Sequence, residues 1–227
     1  ARKDQHYTLE TVTPSWDVYC TGKLAGIEPL RIAALHATAE LGMPHTQKGY
    51  ICLPVSMIDR TSESIIFHEL VHIWQRRNTS FWNEILKIAW NVSPCSNFYP
   101  PHGMRANPDT YYAGFYGYKV GPSGRVAVPY MAFKSSTPSL DDVTLTILDC
   151  SHRPISGVEQ QKLDRFFGRP GIYEMEHPFE TAAYFIVAWH VQGLQVSLAA
   201  KRLIAAISPQ TIEDQLGDVM FVTNDNP

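Results

Sequence analysis

An α+β fold is what this sequence predicts, and three observations carry the expectation. Residues 62–77, SESIIFHELVHIWQRR, place apolar side chains at helical spacing. Residues 111–150 hold two strand-like runs around GPSG and a third in DDVTLTILDC, the pattern of a hairpin followed by a further strand. Residues 178–207 are mostly apolar, which predicts a long buried C-terminal helix. Helices outside and a small mixed or antiparallel sheet in the middle make the fold α+β.

In chain order, residues 28–41, with PLRIAALHATAEL, have helical spacing that Gly42 and Pro44 stop, so a first helix is expected. GYICLPVSMI at 49–58 mixes β-branched and apolar residues; Pro54 has no N–H for a ladder and suits an edge strand, which can accept another strand. Thr61 or Ser62 caps the helix that follows, with Glu63 favourably placed against its dipole. After a break at Asn78, FWNEILKIAW resumes an amphipathic helix that Pro94 ends. Beyond the central strands, RPGIYEMEHPFE is irregular up to Pro178, which fits the first position of the long helix. Ser208-Pro209 opens a last short helix before the polar tail NDNP. A single domain over residues 1–227 holds all of these, without repeats.

With 44% hydrophobic and 18% charged residues in 227, the chain has the apolar content for one core, and a mean hydropathy of −0.16 points to a soluble protein. A net charge of −3 with mixed signs gives no basic surface for nucleic acid and no polybasic stretch for anionic lipid. The most apolar run, AAYFIVAW, is interrupted by His190 and Gln192, so no membrane span is expected. The start at Ala1 fits a processed or trimmed N-terminus and leaves the compartment open. Cys20, Cys52, Cys95 and Cys150 are scattered without a CxxC pair, which argues against a thiolate zinc site; free buried thiols are the expected state.

His68, Glu69 and His72 spell HExxH within the helix at 62–77. Four residues is little more than one turn, so the two imidazoles lie one above the other and can ligate one ion. Glu69 is offset by about 100° around the axis, within reach of a metal-held water without being a ligand. Ile65, Ile66, Phe67, Leu70, Val71, Ile73 and Trp74 go nearly all round the helix, so the three polar side chains are costly to bury unless something pairs them. A metal supplies that pairing, and Zn²⁺ suits imidazole and carboxylate ligands with an open fourth position.

FHELVHIWQ, with MEHPFETAAYF downstream, resembles the zincin metallopeptidases. The HExxHxxGxxH extension is absent, since Gln75, Asn78 and Thr79 follow, and this sets the metzincins aside. Resemblance to the gluzincins implies a third zinc ligand from a later helix, and Glu180 stands at the matching position after Pro178. Independently, the first turn of a buried helix favours an ionised carboxylate, the form a metal binds. Glu174, Glu176 and His177 are rivals just upstream, His177 reading more simply as a helix-entry residue. His190, ten residues along, lies about 15 Å from Glu180 on a helix and is expected in a core or supporting role. Where the family pattern has an aspartate that orients a zinc histidine, this chain has Tyr184, whose phenol oxygen is expected to accept the same N–H. Tyr111, Tyr112, Tyr173 and His102 are of the type that polarises a carbonyl, and no motif assigns that role among them.

The expected function is zinc-dependent hydrolysis of a peptide or protein substrate, with His68, His72 and Glu180 as ligands and Glu69 as general base. By the same resemblance, GYICLPVSMI at the cleft rim pairs with an extended substrate. Two alternatives stand beside it: a zincin-fold binding or structural protein without peptidase activity, and a metal-dependent hydrolase of a non-peptide amide or ester. An intact Glu69 argues against the first.

Overall fold

Ser62 starts the central helix, α1 (Glu63–Arg77), by accepting the Ile65 N–H on its hydroxyl, with Glu63 in the first turn. The computed structural model describes residues 16–24, 29–36, 39–47, 49–101, 103–120, 124–135, 139–168, 171, 174–194 and 197–223. Ile66, Leu70 and Val71 are fully buried, so α1 runs through the core rather than over it. Next, α2 (Thr79–Trp90) follows directly after Asn78. It ends at Asn91, left-handed at φ 55°, before Pro94 is reached.

Among the described residues, three small sheets accompany the helices. β1 (Trp16–Cys20) pairs antiparallel with β9 (Val219–Thr223), joining the two ends of the described chain. β2 (Ile32–Leu35), β4 (Tyr50–Pro54) and β3 (His45–Gln47) form a mixed sheet in that order, with β2 parallel and β3 antiparallel to β4. β5 (Val92–Pro94), β6 (Tyr116–Val120), β7 (Arg125–Phe133) and β8 (Val143–Asp149) make an antiparallel meander, as the alternating runs predict. The first three residues of the GPSG turn, 121–123, and the tail at 224–227 lie outside the described residues.

Sequence and structure part at three elements. Residues 28–41 are not a helix: within the described part, Ile32–Leu35 pairs in register with Ile51–Pro54, and a 3₁₀ turn, Ala39–Gly42, follows with Glu40 and Leu41 left-handed at φ 43° and 59°. Pairing that buries Ala34 and Leu35 overrides the helix preference of those residues. The strand containing Pro54 is central, not an edge. Pro54 is tolerated because it is the last paired position, opposite Leu35, before a 3₁₀ turn at Val55–Arg60. The long C-terminal helix is two helices, α4 (Pro178–His190) and α5 (Leu198–Ile207). Gly193, at φ 61°, turns the chain, and the Leu194 N–H closes back on the Ala188 carbonyl.

α6 (Pro209–Leu216) begins at Ser208-Pro209 as expected. α3 (Gly157–Phe167) is an element the sequence reading passed over, although Ser156 and Glu159 form a complete capping box at its start. The α1 helix packs along α4, where Ala182 and Ala183, both fully buried, let the backbones approach closely. That contact brings the first turn of α4 beside the HExxH turn of α1. Among the described residues, no helix is long and apolar enough to cross a membrane. Cys20 and Cys52 are buried as expected, whereas Cys95 is half-buried and Cys150 exposed.

Candidate metal centre

One turn of α1 puts His68 and His72 on the same face, with their Nε2 atoms 3.0 Å apart. His72 is fully buried and His68 partly exposed at the mouth of a cavity of about 270 Å³. From the first turn of α4, Glu180 brings Oε2 to 3.3 Å from each Nε2. In a tetrahedral zinc site with bonds of about 2.0–2.1 Å, ligand atoms stand about 3.3 Å from one another. The spacing of the three side chains therefore fits one small cation bound between them.

What holds His72 and Glu180 in place is also visible. Gln75 donates from Nε2 to the Phe179 carbonyl at 2.9 Å, so its Oε1 accepts the Nδ1–H of His72 at 2.7 Å. This commits Nδ1 of His72 to Gln75 and turns Nε2 toward Glu180 and His68. The imidazole partner is thus Gln75, not Tyr184; Tyr184 is half-buried beside Phe185. Asn107 donates from Nδ2 to Glu180 Oε1 at 2.7 Å and to Glu176 Oε1 at 2.5 Å. Arg105 in turn grips both oxygens of Glu176, at 3.1 and 2.9 Å. Glu176 is therefore committed to Arg105 and Asn107, and Glu174 does not join the cluster. His177 caps α4: its Nδ1 accepts the Phe179 N–H and its Nε2 donates to the Gly114 carbonyl. His190 stacks on Phe67 and pairs with Glu213, away from the ligands.

Glu69 lines the same cavity, buried, with no partner for its Oε2. An orphaned buried carboxylate oxygen beside three converging donor atoms is what a metal-held water would satisfy, so the residues present fit a hydrated ion. Electrostatics follow the same geometry. Burial, with the Asp109 and Glu180 carboxyls nearby, pushes the Glu69 carboxyl well above its usual range against the pull of His72. Burial opposes the charge on His72, but Glu180, Asp109 and Glu69 outweigh it and lift the imidazole to about 10. Burial likewise opposes the charge on Glu180, and His72 and His68 overcome it, holding that carboxyl well below the ordinary value. Burial raises Glu176 to about 7 despite Arg105. His177, buried, is lowered to about 4 and stays neutral.

Sequence reasoning missed Gln75, Arg105, Asn107 and Asp109. Asp109 accepts the Thr46 N–H and hydroxyl, both at 2.6 Å, while Arg76 donates to the Thr46 carbonyl at 3.2 Å and the Pro108 carbonyl at 3.1 Å. The edge strand β3 is thus fastened at Thr46 on both its N–H and its C=O. The GYICLP strand lies behind it in the middle of the sheet, where no substrate can pair with it. Tyr112 carries the Arg76 guanidinium over its ring at 4.2 Å, and Tyr111 and Tyr112 line a separate cavity. His102 and Tyr173 lie outside the described residues. The Asn-Pro-Asp turn at 107–109 was a local signal for a shaped loop, but nothing in its spacing tied it to the histidines.

Compared with protein-family models, with curated proteins and with solved structures, the chain matches none.

Proposed function

We propose that this chain is a zinc-dependent metallopeptidase of gluzincin type, with His68, His72 and Glu180 as zinc ligands and Glu69 as general base. The observation that carries the reading is the convergence of three donor atoms, from His68, His72 and Glu180, with His68, Glu180 and the buried Glu69 carboxyl lining one cavity. When bound, the ion supplies Lewis acidity, acidifying water and polarising a carbonyl. Glu69 takes the proton of the attacking water and delivers it to the leaving amine. Gln75 keeps the His72 ring in the ligating tautomer, and Asn107 holds the second oxygen of Glu180 so that Oε2 faces the imidazoles. Ile65 and Met43 give the cavity wall an apolar part.

One observation favours a second reading, hydrolysis of a compact non-peptide amide or ester. Because Asp109 and Arg76 occupy the outer edge of β3 at Thr46, an extended chain cannot add there as a strand, and a cavity of about 270 Å³ suits a small group better than a long peptide. Two measurements test the proposal. Elemental analysis of the purified chain supplied with zinc should give close to one zinc per chain, and absence of bound metal would sink both readings. Glu69→Gln should keep the metal and lose hydrolysis of a mixed peptide library; cleavage at the parental rate would place the base elsewhere. Activity on small acyl amides or esters alone would select the second reading.

A further inference from the structure

Outside the cavity, Cys95 and Cys150 bring their sulfurs to 2.8 Å. Ordinary contact between carbon-sized atoms is about 3.5–4.0 Å, and sulfur is larger than carbon, so the two thiols stand inside non-bonded distance. Both are free thiols, 55 residues apart in sequence, with Cys150 exposed. Cys95 directly follows β5, and its N–H is held by the Phe115 carbonyl at 2.7 Å. Cys150 directly follows β8. We infer that Cys95 and Cys150 are a crosslinking site, at which a disulfide fastens the foot of the loop that carries Arg105, Asn107 and Asp109 to the end of β8.

The placement gives the bond a role. Residues 95–115 leave the sheet at Cys95 and return at Phe115, and on the way Met104 bridges to Ala132 while the Arg105 N–H bonds the Met131 carbonyl. The loop that supplies the Asn107 contact to Glu180 is thus tied to the meander in its middle and at its foot. A crosslink at Cys95 makes the second tie covalent. Cys150, at the surface, is where a small-molecule disulfide such as oxidised glutathione arrives. Its attack forms a mixed disulfide and releases one glutathione thiol. The Cys95 sulfur, as thiolate, then displaces the second, so two protein S–H bonds are lost, one S–S bond forms, and the glutathione disulfide is reduced to two thiols. Cys52 and Cys20, whose thiol donates to the Leu216 carbonyl, are buried free thiols and serve as internal controls.

The test uses the full chain incubated with oxidised glutathione, denatured without reductant and alkylated. Only Cys20 and Cys52 should take the label, the intact mass should fall by two hydrogens, and proteolysis should give one peptide joining Cys95 to Cys150. Adding reductant to the crosslinked parent should lower its melting temperature by about 5–15 °C and speed amide exchange in residues 103–110. Cys150→Ser, at an exposed position, should start from the lowered temperature and show no response to reductant; Cys95→Ser should match it. Four alkylated cysteines after oxidation, or a different pairing, would overturn the inference. So would a crosslinked parent whose melting and loop exchange ignore the reductant.

Discussion

Replacing Gln75 by leucine removes two hydrogen bonds at a fully buried position while nearly preserving side-chain volume, so the effect comes from polarity rather than packing. The Nδ1–H of His72 loses its acceptor, and a buried donor left unsatisfied costs about 1–3 kcal/mol. The Phe179 carbonyl lies in the first turn of α4 and keeps a place in the helix ladder, so losing Gln75 there costs a further 0.5–1.5 kcal/mol, roughly. Together these predict a loss of about 2–4 kcal/mol, or roughly 5–15 °C in melting temperature for a chain of this size. Metal affinity is expected to fall about 10–100-fold, because the ring that presents Nε2 is no longer held. Competition with a chromogenic zinc chelator measures the affinity, and calorimetry the stability. Gln75→Glu separates the two roles: it keeps an acceptor for Nδ1–H, so zinc affinity should stay near the parent value while stability still drops, since the Phe179 carbonyl loses its donor and a charge is buried. Parental zinc affinity in Gln75→Leu would mean that Gln75 is only a strut between α1 and α4.

Glu180→Ala should abolish tight zinc binding, whereas Glu174→Ala should leave it unchanged by the same chelator competition; the reverse order would remove Glu180 from the site. Because His72 is raised to about 10 and must be neutral to ligate, zinc binding at pH 7 should release at least about one proton, seen as a dependence of calorimetric heat on buffer ionisation enthalpy. Away from the cavity, backbone N–H groups of Arg153 and Ser151, with Arg125 and Arg153 side chains, hold Asp149 down to about 2. A depressed carboxyl contributes stability that is present above its unfolded value of about 3.9 and lost as pH falls toward about 2, so the stability gap between parent and Asp149→Asn should narrow over that interval in acid titrations.

Local chemistry made much of this structure legible. The helix at 62–77, its cap at Ser62, the meander and the start at Pro178 each rest on spacing or on a capping residue, and each formed as the sequence implied. The cluster of His68, His72 and Glu180 was readable because two of its members share one helical turn and the third opens a buried helix. Residues 28–41 misled because their alternation of alanine, leucine and isoleucine suits a helix as well as a strand, and only the pairing with Ile51–Pro54 decided between them. The C-terminal break was signalled by Gly193 alone, inside an apolar run whose periodicity continues on both sides. Asn107 and Asp109 could not be found from spacing, since each acts through a contact across 63 or more residues, Asn107 with Glu180 and Asp109 with Thr46; Gln75 meets His72 three residues back on the same helix, but the Phe179 carbonyl that sets its amide lies 104 residues away.

The charges around the cavity give a reason for the whole arrangement. Four carboxyls, those of Glu69, Asp109, Glu176 and Glu180, are buried together, and two guanidinium groups, those of Arg76 and Arg105, face them. Arg105 is engaged by Glu176, while Arg76 turns to the carbonyls of Thr46 and Pro108 and to the Tyr112 ring. Among the described residues, no lysine or arginine pairs with Glu69 or Glu180; His72 neighbours both, and His68 stands beside Glu180 as well. Burying carboxylates without fixed cations is costly, and the remedies open to a protein are protonation or a bound metal ion. A divalent cation at His68, His72 and Glu180 would supply positive charge at the end of the network that no lysine or arginine reaches. Asn107 links the two ends by donating to both Glu176 and Glu180. The Arg105–Glu176 pair is therefore coupled to Glu180 through a single amide, so that in the proposed metal site the orientation of Glu180 depends on a salt bridge outside the three donor side chains.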